Sequence, residues 1–428
     1  MHTTRRWQIP FSGSSAQRNA ARPVPFGMRS ALLYFAASLL PAGDSLAIQF
    51  GLFAQTRLEV ARATSPTGGP YDPNDGTGSQ PDDVDGYFRR LRLSATAAMG
   101  EHLRFALILA ADNSERGGLG AGRTISPLIA NVAWVMRDGD FEHRIHGGLD
   151  YPFYNRASFG PQSAQLLPGD RPSLLPLWPR GFGLGWLISG PGLTAGIDIQ
   201  QNSNSSFPGY PAATGAPANA GDSAGNGRDG EGLCYTARIE WSPPGWELGA
   251  WNESFAGASG RGLGIGIDCG FNDDDRVAYG GAAINAGIDT WCWGVEANLH
   301  WDGLSAIAEA RWQQTRTTGD PGVAIASSDR VIDTAVYLVQ AGYAVVQGDQ
   351  TWELAGRLSR IDIDTANHSE SRPFGTADHG QSGWQGDVGM NCYLDRHHHK
   401  IQLSYTKWKA ESGPADADIV RLQHQLSY

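Results

Sequence analysis

Residues 420–428, which read VRLQHQLSY, alternate strictly between two kinds of side chain. One face would carry Val420, Leu422, His424, Leu426 and Tyr428, and the other Arg421, Gln423, Gln425 and Ser427. A period of two is the repeat of a β-strand. An amphipathic strand that ends on its own aromatic residue is typical of a barrel in an outer membrane, where one face meets lipid and the other a wet lumen. A soluble sandwich could end in the same way, so the remaining sequence has to decide.

The composition favours a membrane barrel over a helical enzyme or a disordered chain. The 428 residues include 56 Gly, where average usage would give about 30. They also include 14 Trp and 13 Tyr, and only 18% are charged. Many glycines, many interfacial aromatics and few charges suit a barrel wall with aromatic girdles. No apolar run reaches the roughly 18 residues that a membrane helix needs.

Residues 1–47 are predicted to be a signal peptide with a long n-region, and 48–428 a single barrel domain. The apolar run Ala31 to Leu40 follows Arg29 and precedes the small residues at 45–47, which predicts Ile48 as the mature N-terminus. Met28 is an alternative start. Removal of 1–47 takes away five arginines and one aspartate, which lowers the formal net charge from -11 to about -15. That charge argues against nucleic-acid binding.

Alternating segments predict sixteen strands. The first is Ile48–Ala61 and the last Val420–Tyr428. Between them lie seven strand pairs joined by short turns: Phe88–Met99 with Leu103–Leu109, Ile129–Met136 with Phe141–Leu149, Phe182–Ser189 with Leu193–Gln200, Leu233–Trp241 with Trp246–Phe255, Trp291–Trp301 with Leu304–Gln314, Val331–Val345 with Trp352–Ile363, and Trp384–Tyr393 with Lys400–Trp408.

Short turns that alternate with long loops are typical of outer-membrane barrels, whose short turns are periplasmic and whose long loops are extracellular. Val277–Ile288 also has the pattern of a strand. With it the count would be seventeen, and the short turn at 302–303 would become extracellular. Placing it inside a long fifth loop, Ala256–Asp289, gives sixteen strands and leaves both termini in the periplasm. We therefore predict an all-β transmembrane antiparallel barrel of about sixteen strands.

The third long loop, Tyr151–Arg180, differs from the others in composition. It carries six prolines, several large apolar residues and three arginines, whereas a loop such as 202–232 is rich in Gly, Ser, Asn and Asp. So apolar a loop is not expected to lie in water. We therefore predict that it folds inward and narrows the pore, and we call residues 151–180 the constriction loop.

Four stretches resemble the phosphate-selective porin O/P family. They are Arg89-Arg90-Leu91-Arg92-Leu93, the segment Gly147–Phe153, the strand Trp352–Asp362 with its E-x-x-x-R-x-S-R-x-D pattern, and the C-terminal runs 389–395, 401–405 and 421–423. The resemblance spans most of residues 48–428 and is most specific in the last eighty or so. It implies a trimeric porin of sixteen strands with an inward third loop. The constriction loop departs from the family because it has no lysine and includes Asp170.

Strand parity places seven arginines on the lumen side, since an arginine in lipid near the midplane would cost about 2–4 kcal/mol. With the three arginines of the constriction loop, the candidate pore-lining and anion-contacting residues are Arg90, Arg92, Arg104, Arg144, Arg156, Arg171, Arg180, Arg238, Arg311 and Arg357. Such arginines would attract anions. Alternatively, they pair with lumen carboxylates and brace the wall. Carboxylates with the right parity are Glu142, Glu240, Glu296, Glu309, Glu353 and Asp387.

The predicted function is passive diffusion of small hydrophilic solutes through a water-filled channel, with a preference for anions or phosphate as a hypothesis. A plugged or structural barrel is the first alternative. A barrel enzyme is the second, but the histidines are scattered and no serine lies in a nucleophile elbow. The protein is therefore expected not to be an enzyme, and to need no cofactor or metal. The acidic run Asp273–Asp275 and the histidines His397–His399 are expected to be solvated.

The predicted location is the outer membrane of a Gram-negative-type bacterium. Expected partners are the solutes themselves, outer-membrane lipid and lipopolysaccharide, the barrel assembly machinery through the C-terminal strand, and two further copies of the chain in a homotrimer. His424 has lipid-facing parity and would contact a neighbouring subunit. Cys234 and Cys269 could pair, although small unpaired thiols are the expected state of all four cysteines.

Overall fold

The computed structural model describes residues 47–63, 83–112, 125–156, 164–169, 171, 181–201, 233–248, 253–254, 260–274, 277–279, 282–284, 286–319, 330–365, 382–411 and 416–428. The predicted signal peptide lies outside these residues except for Ala47, which begins the first strand, and it stays a prediction. The described residues form a closed barrel of sixteen antiparallel strands, as the alternation predicted, and one separate two-stranded sheet. Among them, no helix combines the length and apolar character needed to cross a bilayer.

The strands are numbered in chain order. The first nine are β1 (Ala47–Ala63), β2 (Asp83–Met99), β3 (Leu103–Ala110), β4 (Ser126–Asp138), β5 (Phe141–Asp150), β6 (Gly181–Gly190), β7 (Leu193–Gln201), β8 (Leu233–Trp241) and β9 (Gly262–Asp274). The others are β10 (Val277–Tyr279), β11 (Ala282–Ile284), β12 (Ala286–Trp301), β13 (Leu304–Gly319), β14 (Arg330–Gln347), β15 (Gln350–Thr365), β16 (Gly383–Asp395), β17 (His399–Ala410) and β18 (Ala417–Ser427).

The C-terminal strand closes the barrel. β18 pairs with β17 on one side and with β1 on the other. Beyond β18, the backbone of Tyr428 exchanges two hydrogen bonds with Leu52, of 3.0 and 2.9 Å. The parity read from the sequence is correct, because Arg421 and Gln423 are buried in the lumen while Val420 and Leu422 are exposed outside. Closure leaves this sheet without the unpaired edges of an open sheet.

The outer surface of the barrel is apolar. Large exposed side chains such as Leu58, Ile197, Val339 and Leu403 point away from the lumen. Exposed aromatics lie near both ends of the wall. Near the short turns are Trp241, Trp301 and Tyr343, and towards the other end are Tyr235, Trp291 and Trp384. An apolar band between two aromatic girdles is the surface that a lipid bilayer requires.

The ninth strand differs from the prediction. Trp246–Phe255 was predicted to be a barrel strand, but its described residues lie outside the sheet, and Gly262–Asp274 takes that position between β8 and β12. In β9, glycines alternate with apolar residues such as Ile265 and Ile267, which are exposed to lipid. Glycine is depleted in strands because it has no side chain to pack. Here the glycine face points into a crowded lumen, which supplies the missing contacts.

The predicted fifth loop is therefore mostly strand. Of the segment Val277–Ile288, residues 277–279 and 282–284 form the separate hairpin of β10 and β11, and 286–288 already belong to β12. The count of sixteen barrel strands holds because β9 replaces the wrongly predicted strand. The connection between β8 and β9, residues 242–261, is consequently long and begins at the short-turn end of the barrel.

Candidate functional site

The described residues of the constriction loop, 151–156, 164–169 and 171, fold into the lumen, as predicted. Leu166 and Leu167 are fully buried and pack against Ala355 of β15. Lys400 Nζ on β17 donates to the carbonyl oxygen of Gln165 over 2.7 Å, and Asn391 Nδ2 on β16 donates to that of Leu166 over 2.7 Å. Loop carbonyls without strand partners need such donors when they are buried. These donors fix the middle of the loop against the wall.

The same loop also reaches the seam where the barrel closes. Arg90 on β2 donates to Gln165 Oε1 over 3.0 Å, and Arg57 on β1 donates to the carbonyl oxygen of Pro168. Arg357 on β15 donates to that of Gly169 over 3.1 Å. The loop, which leaves the wall between β5 and β6, therefore crosses the lumen to the opposite side.

A second segment enters the lumen from the end with the short turns. We call residues 242–261, between β8 and β9, the re-entrant connection. Its Leu248 side chain lies over Gly262 and Gly264, where a Cβ would come within 2.7 and 2.6 Å of it. Its Glu253 and Ser254 are buried, and the Glu253 backbone N–H donates to the Ala164 carbonyl oxygen over 3.2 Å. The two inward segments thus meet inside the barrel.

Several wall glycines make room for these inward segments. A Cβ on Gly342 would lie 2.8 Å from the Leu166 side chain, and one on Gly389 would lie 2.6 Å from that of Leu167. On β9, a Cβ on Gly266 would lie 2.4 Å from the guanidinium of Arg238. These contacts are too close for a side chain at the glycine positions. Part of the glycine excess therefore reflects a filled lumen.

Arg238 on β8 and Arg311 on β13 form the centre of an ion-pair network. Arg238 lies 3.0 Å from Asp268 and 2.5 Å from Glu296. Arg311 lies 2.7 Å from Asp268 and 2.8 Å from Glu296, so both carboxylates bridge the two arginines. All four side chains are almost completely buried. A buried arginine stays charged and needs such partners.

The described arginines of the constriction loop join the same network. Arg156 pairs with Glu240, and Arg171 pairs with Glu309 and lies 3.1 Å from Glu253. Arg180 lies outside the described residues. The loop is therefore tied to β8 and β13 by charge as well as to β15–β17 by hydrogen bonds.

Three buried arginines were not among the predicted pore-lining residues: Arg57, Arg89 and Arg421. Arg421 on β18 pairs with Glu59 on β1 over 2.7 Å, next to the predicted pair of Arg357 and Asp387 at 2.8 Å. Strict alternation with Leu91 would place Arg89 on the lipid side. The register shifts at Gln55, so that Arg89 is an extra residue in β2 and turns inward beside Arg90. A bulge changes parity by one residue and leaves no simple signal in the sequence.

The remaining candidate arginines lie where the lumen wall is less covered. Arg92 pairs with Asp112, and both side chains are partly exposed. Arg104 donates to the carbonyl oxygens of Gly100, Glu101 and Leu103, so it braces the β2–β3 turn. Arg144 on β5 faces the lumen, is half-buried, and has no hydrogen-bond or ion-pair partner among the described residues.

The wall around Arg144 differs from the wall behind the constriction loop. We call the lumen face of β2–β6 in the half nearest the short turns the open wall. Most of its side chains keep part of their solvent exposure, although Ala133 is 1% exposed. The partly exposed ones include Ser94, Thr96, Ala106, Ile108, Val135, Arg144 and Leu187. We call the lumen face of β8, β9 and β12–β18 the sealed wall. Almost all its side chains are buried at the same depth, for example Ser305 at 1% exposure and Lys400 at 0%.

The predicted carboxylates all lie on the lumen side. Glu240, Glu296, Glu309 and Asp387 accept from arginines, as described above. Glu353 accepts from the Tyr393 hydroxyl over 2.5 Å and from Asn391 over 3.3 Å. Glu142 lies 3.3 Å from Arg137 at the exposed turn end of the open wall.

The cysteines are unpaired, as expected. Cys234 is buried in the lumen and Cys269 is exposed on the lipid face, so the two could not have bonded. His424 has the predicted lipid-side parity but lies near the end of β18, where its Nε2 is 3.0 Å from that of His399. Among the described residues, no group of three or more His, Cys, Asp or Glu is arranged to hold a metal ion. The side chains of Asp273–Asp275 are not among those described.

No protein-family model matches the sequence, and no curated protein matches it significantly. The fold does match solved structures. The outer membrane channel DcaP of Acinetobacter baumannii is 10% identical, over 91% of this chain and 99% of that one, with a TM-score of 0.54. OprB of Pseudomonas putida is 12% identical, over 94% and 96%, with a TM-score of 0.51. A loop-deletion mutant of OmpT, an outer membrane protein of Vibrio cholerae, is 10% identical, over 90% and 100%, with a TM-score of 0.50.

Identities this low establish the fold alone. The chain has the architecture of an outer-membrane channel barrel, and its lipid-facing surface places it in the outer membrane of a Gram-negative bacterium. The lumen has two distinct parts. One is filled by two inward segments and a buried ion-pair network, and the other is lined by partly exposed side chains.

Proposed function

We propose that the protein is a porin through which small hydrophilic solutes diffuse passively, along the open wall rather than through the centre of the barrel. The observation that carries this proposal is the exposure of the open wall. Thr96 stays exposed inside the barrel, while Ser305, close to a short turn on the sealed wall, is 1% exposed. A partly solvated passage beside a filled region, in which Ser94, Thr96 and Arg144 lie among apolar side chains, suits restricted diffusion.

We further propose that the passage prefers anions, phosphate among them. Arg144 supports this, because a half-buried arginine without a partner leaves a positive potential in the lumen. The sequence resemblance to phosphate-selective porins supports it as well. The buried arginines are assigned a bracing role, since their charges are matched by carboxylates.

Reconstitution into planar bilayers tests both proposals. Stepwise, steady currents are expected, with a reversal potential in a KCl gradient that indicates anion preference. A cation-selective reversal potential would overturn the proposed anion preference but would still be consistent with a channel. No steady current would overturn the channel and favour a plugged barrel, which the full burial of the sealed wall also suggests.

We propose that the protein catalyses no reaction in the membrane. The described histidines have structural contacts; His146, for example, lies 3.1 Å from Asp198, and both side chains are buried. Lipase and protease assays on the purified protein are expected to give no turnover above a boiled sample. Reproducible hydrolysis would overturn this proposal.

We also propose that the protein is a homotrimer, that the barrel assembly machinery inserts it through the C-terminal strand, and that lipid and lipopolysaccharide surround it. Support comes from the exposed apolar face and from charged pairs towards its long-loop end. Examples are Lys407 with Asp418 at 2.8 Å and Arg360 with Glu411 at 2.7 Å. Light scattering of the detergent-solubilised protein is expected to give three chains per particle, and a monomer would overturn the trimer.

A further inference from the structure

The re-entrant connection is unusual for the end of the barrel at which it lies. The other connections there are tight, such as the two residues between Trp301 and Leu304. Residues 242–248 instead include a turn, in which Trp246 N–H donates to the Pro243 carbonyl oxygen over 2.9 Å, and Glu253 and Ser254 of the same connection are buried in the lumen. A segment of this kind needs a reason beyond joining two strands.

Glu253 concentrates the contacts of this segment. Its Oε2 accepts from the Leu166 backbone N–H over 3.0 Å and from Gln340 Nε2 over 3.1 Å. Its Oε1 lies 3.1 Å from Arg171 Nε. One carboxylate therefore holds the constriction loop at two points and the β14 wall at a third.

The neighbouring residue attaches the segment to the opposite wall. Ser254 Oγ lies 2.8 Å from the Tyr393 hydroxyl on β16, which is itself hydrogen-bonded to Glu353. The re-entrant connection is therefore hydrogen-bonded to the barrel wall as well as to the constriction loop. Because the re-entrant connection is held by the wall, it can restrict the movement of the constriction loop that it contacts.

We propose that Glu253 positions the constriction loop and that the re-entrant connection acts as a latch inserted from the periplasmic side. The pore width would then be set by segments from both membrane faces. The inference rests on the proposed channel function, but its structural half can be measured separately. A carboxylate that accepts two hydrogen bonds and also pairs with an arginine is hard to replace, because hydrogen bonds to charged groups are the stronger ones.

The test compares E253Q and E253A with wild type, and uses E247Q as the matched control. Glu247 lies on the same connection but is exposed, and within the described part of the chain its one hydrogen bond comes from the Gly245 N–H, over 3.1 Å. The first readout is hydrogen–deuterium exchange of the amides in residues 164–171. We expect E253Q to raise it by about tenfold and E253A by more, while E247Q leaves it unchanged.

The second readout is single-channel conductance, which we expect to rise in E253Q and E253A but not in E247Q. Unchanged exchange in E253Q would overturn the latch even if wild type conducts normally. Faster exchange with unchanged conductance would overturn its role in setting the pore width. Faster exchange in a protein that never conducts would refute the channel while the latch stands. Should E253A fail to assemble, E253Q decides the question.

Discussion

The sealed wall and the open wall of this barrel are built from the same alternating strands, yet they treat charge differently. On the sealed wall, arginines such as Arg238 and Arg311 each contact several carboxylates and are shut off from water. On the open wall, Arg144 has no partner among the described residues and keeps part of its exposure. An arginine that faces the lumen can therefore either stabilise the wall through ion pairs or attract anions from solution. Which of the two it does depends on whether carboxylates lie next to it.

The largest expected effect comes from breaking the network of the sealed wall. R311A would leave Asp268, Glu296 and Glu309 buried with fewer cations nearby. Removing one partner from a buried charge cluster typically costs about 3–5 kcal/mol. Urea unfolding of the barrel in detergent should show this loss. R144A serves as the control and should unfold at the same urea concentration as wild type. An equal loss of stability in both variants would contradict the view that only the arginines of the sealed wall stabilise the barrel.

Cysteine accessibility tests the distinction directly. Thr96 on the open wall is exposed, and Thr406 on the sealed wall is 1% exposed. In a background with Cys269 and Cys392 replaced by serine, T96C should react with a water-soluble thiol reagent faster than T406C, on the order of a hundredfold, because the buried site reacts only after local opening. Comparable rates would mean that water reaches both walls.

The glycines beneath the constriction loop offer a milder perturbation. G389A would place a Cβ 2.6 Å from the Leu167 side chain, whereas nothing lies within 4 Å of a Cβ on Gly386. Overpacking of this kind costs roughly 1–3 kcal/mol. We expect G389A to lower thermal stability, measured by loss of heat-modifiable migration, and G386A to leave it unchanged. If G389A has the same thermal stability as wild type, the constriction loop can move away from the added methyl group at little cost.

The smallest expected effect is on selectivity. R144Q removes the unpartnered charge of the open wall and should reduce the anion-to-cation permeability ratio by roughly two- to threefold. Reversal potentials in a KCl gradient measure it. R238Q is not expected to affect the ratio through direct contact with ions, so a larger shift in R238Q than in R144Q would place the ion path along the sealed wall.

The sequence predicted the wall well, because strand parity is a local property. The strict period of two in residues 420–428 was enough to assign the lumen side of Arg421 and Gln423, and the same rule placed Arg311 and Arg357 correctly. It failed at Arg89, where a bulge opposite Gln55 shifts the register. It failed more widely at β9, because a glycine-rich strand next to an alternating aromatic segment reverses the usual strand preferences.

The contents of the lumen could be predicted only in part. The prolines and apolar residues of the constriction loop indicated an inward fold, since such a loop is costly in water. The re-entrant connection gave no comparable signal, because Trp246–Phe255 alternates like a strand and Glu253 is an ordinary acidic residue in sequence. Its role depends on Leu166, Arg171 and Gln340, which only the closed barrel brings together.

The seam between β1 and β18 bears on the order of folding. Gln55 Nε2 donates to Gln425 Oε1 over 2.7 Å, and this contact joins residues 370 positions apart in sequence. Closing so long a loop is slow and entropically costly. The constriction loop reaches both sides of this seam: Arg57 on β1 donates to the Pro168 carbonyl oxygen, and the Arg421 guanidinium on β18 lies where a Cβ on Gly169 would come within 3.3 Å of it. The contacts that close the barrel and the contacts that hold the loop therefore lie side by side, so each set is expected to stabilise the other.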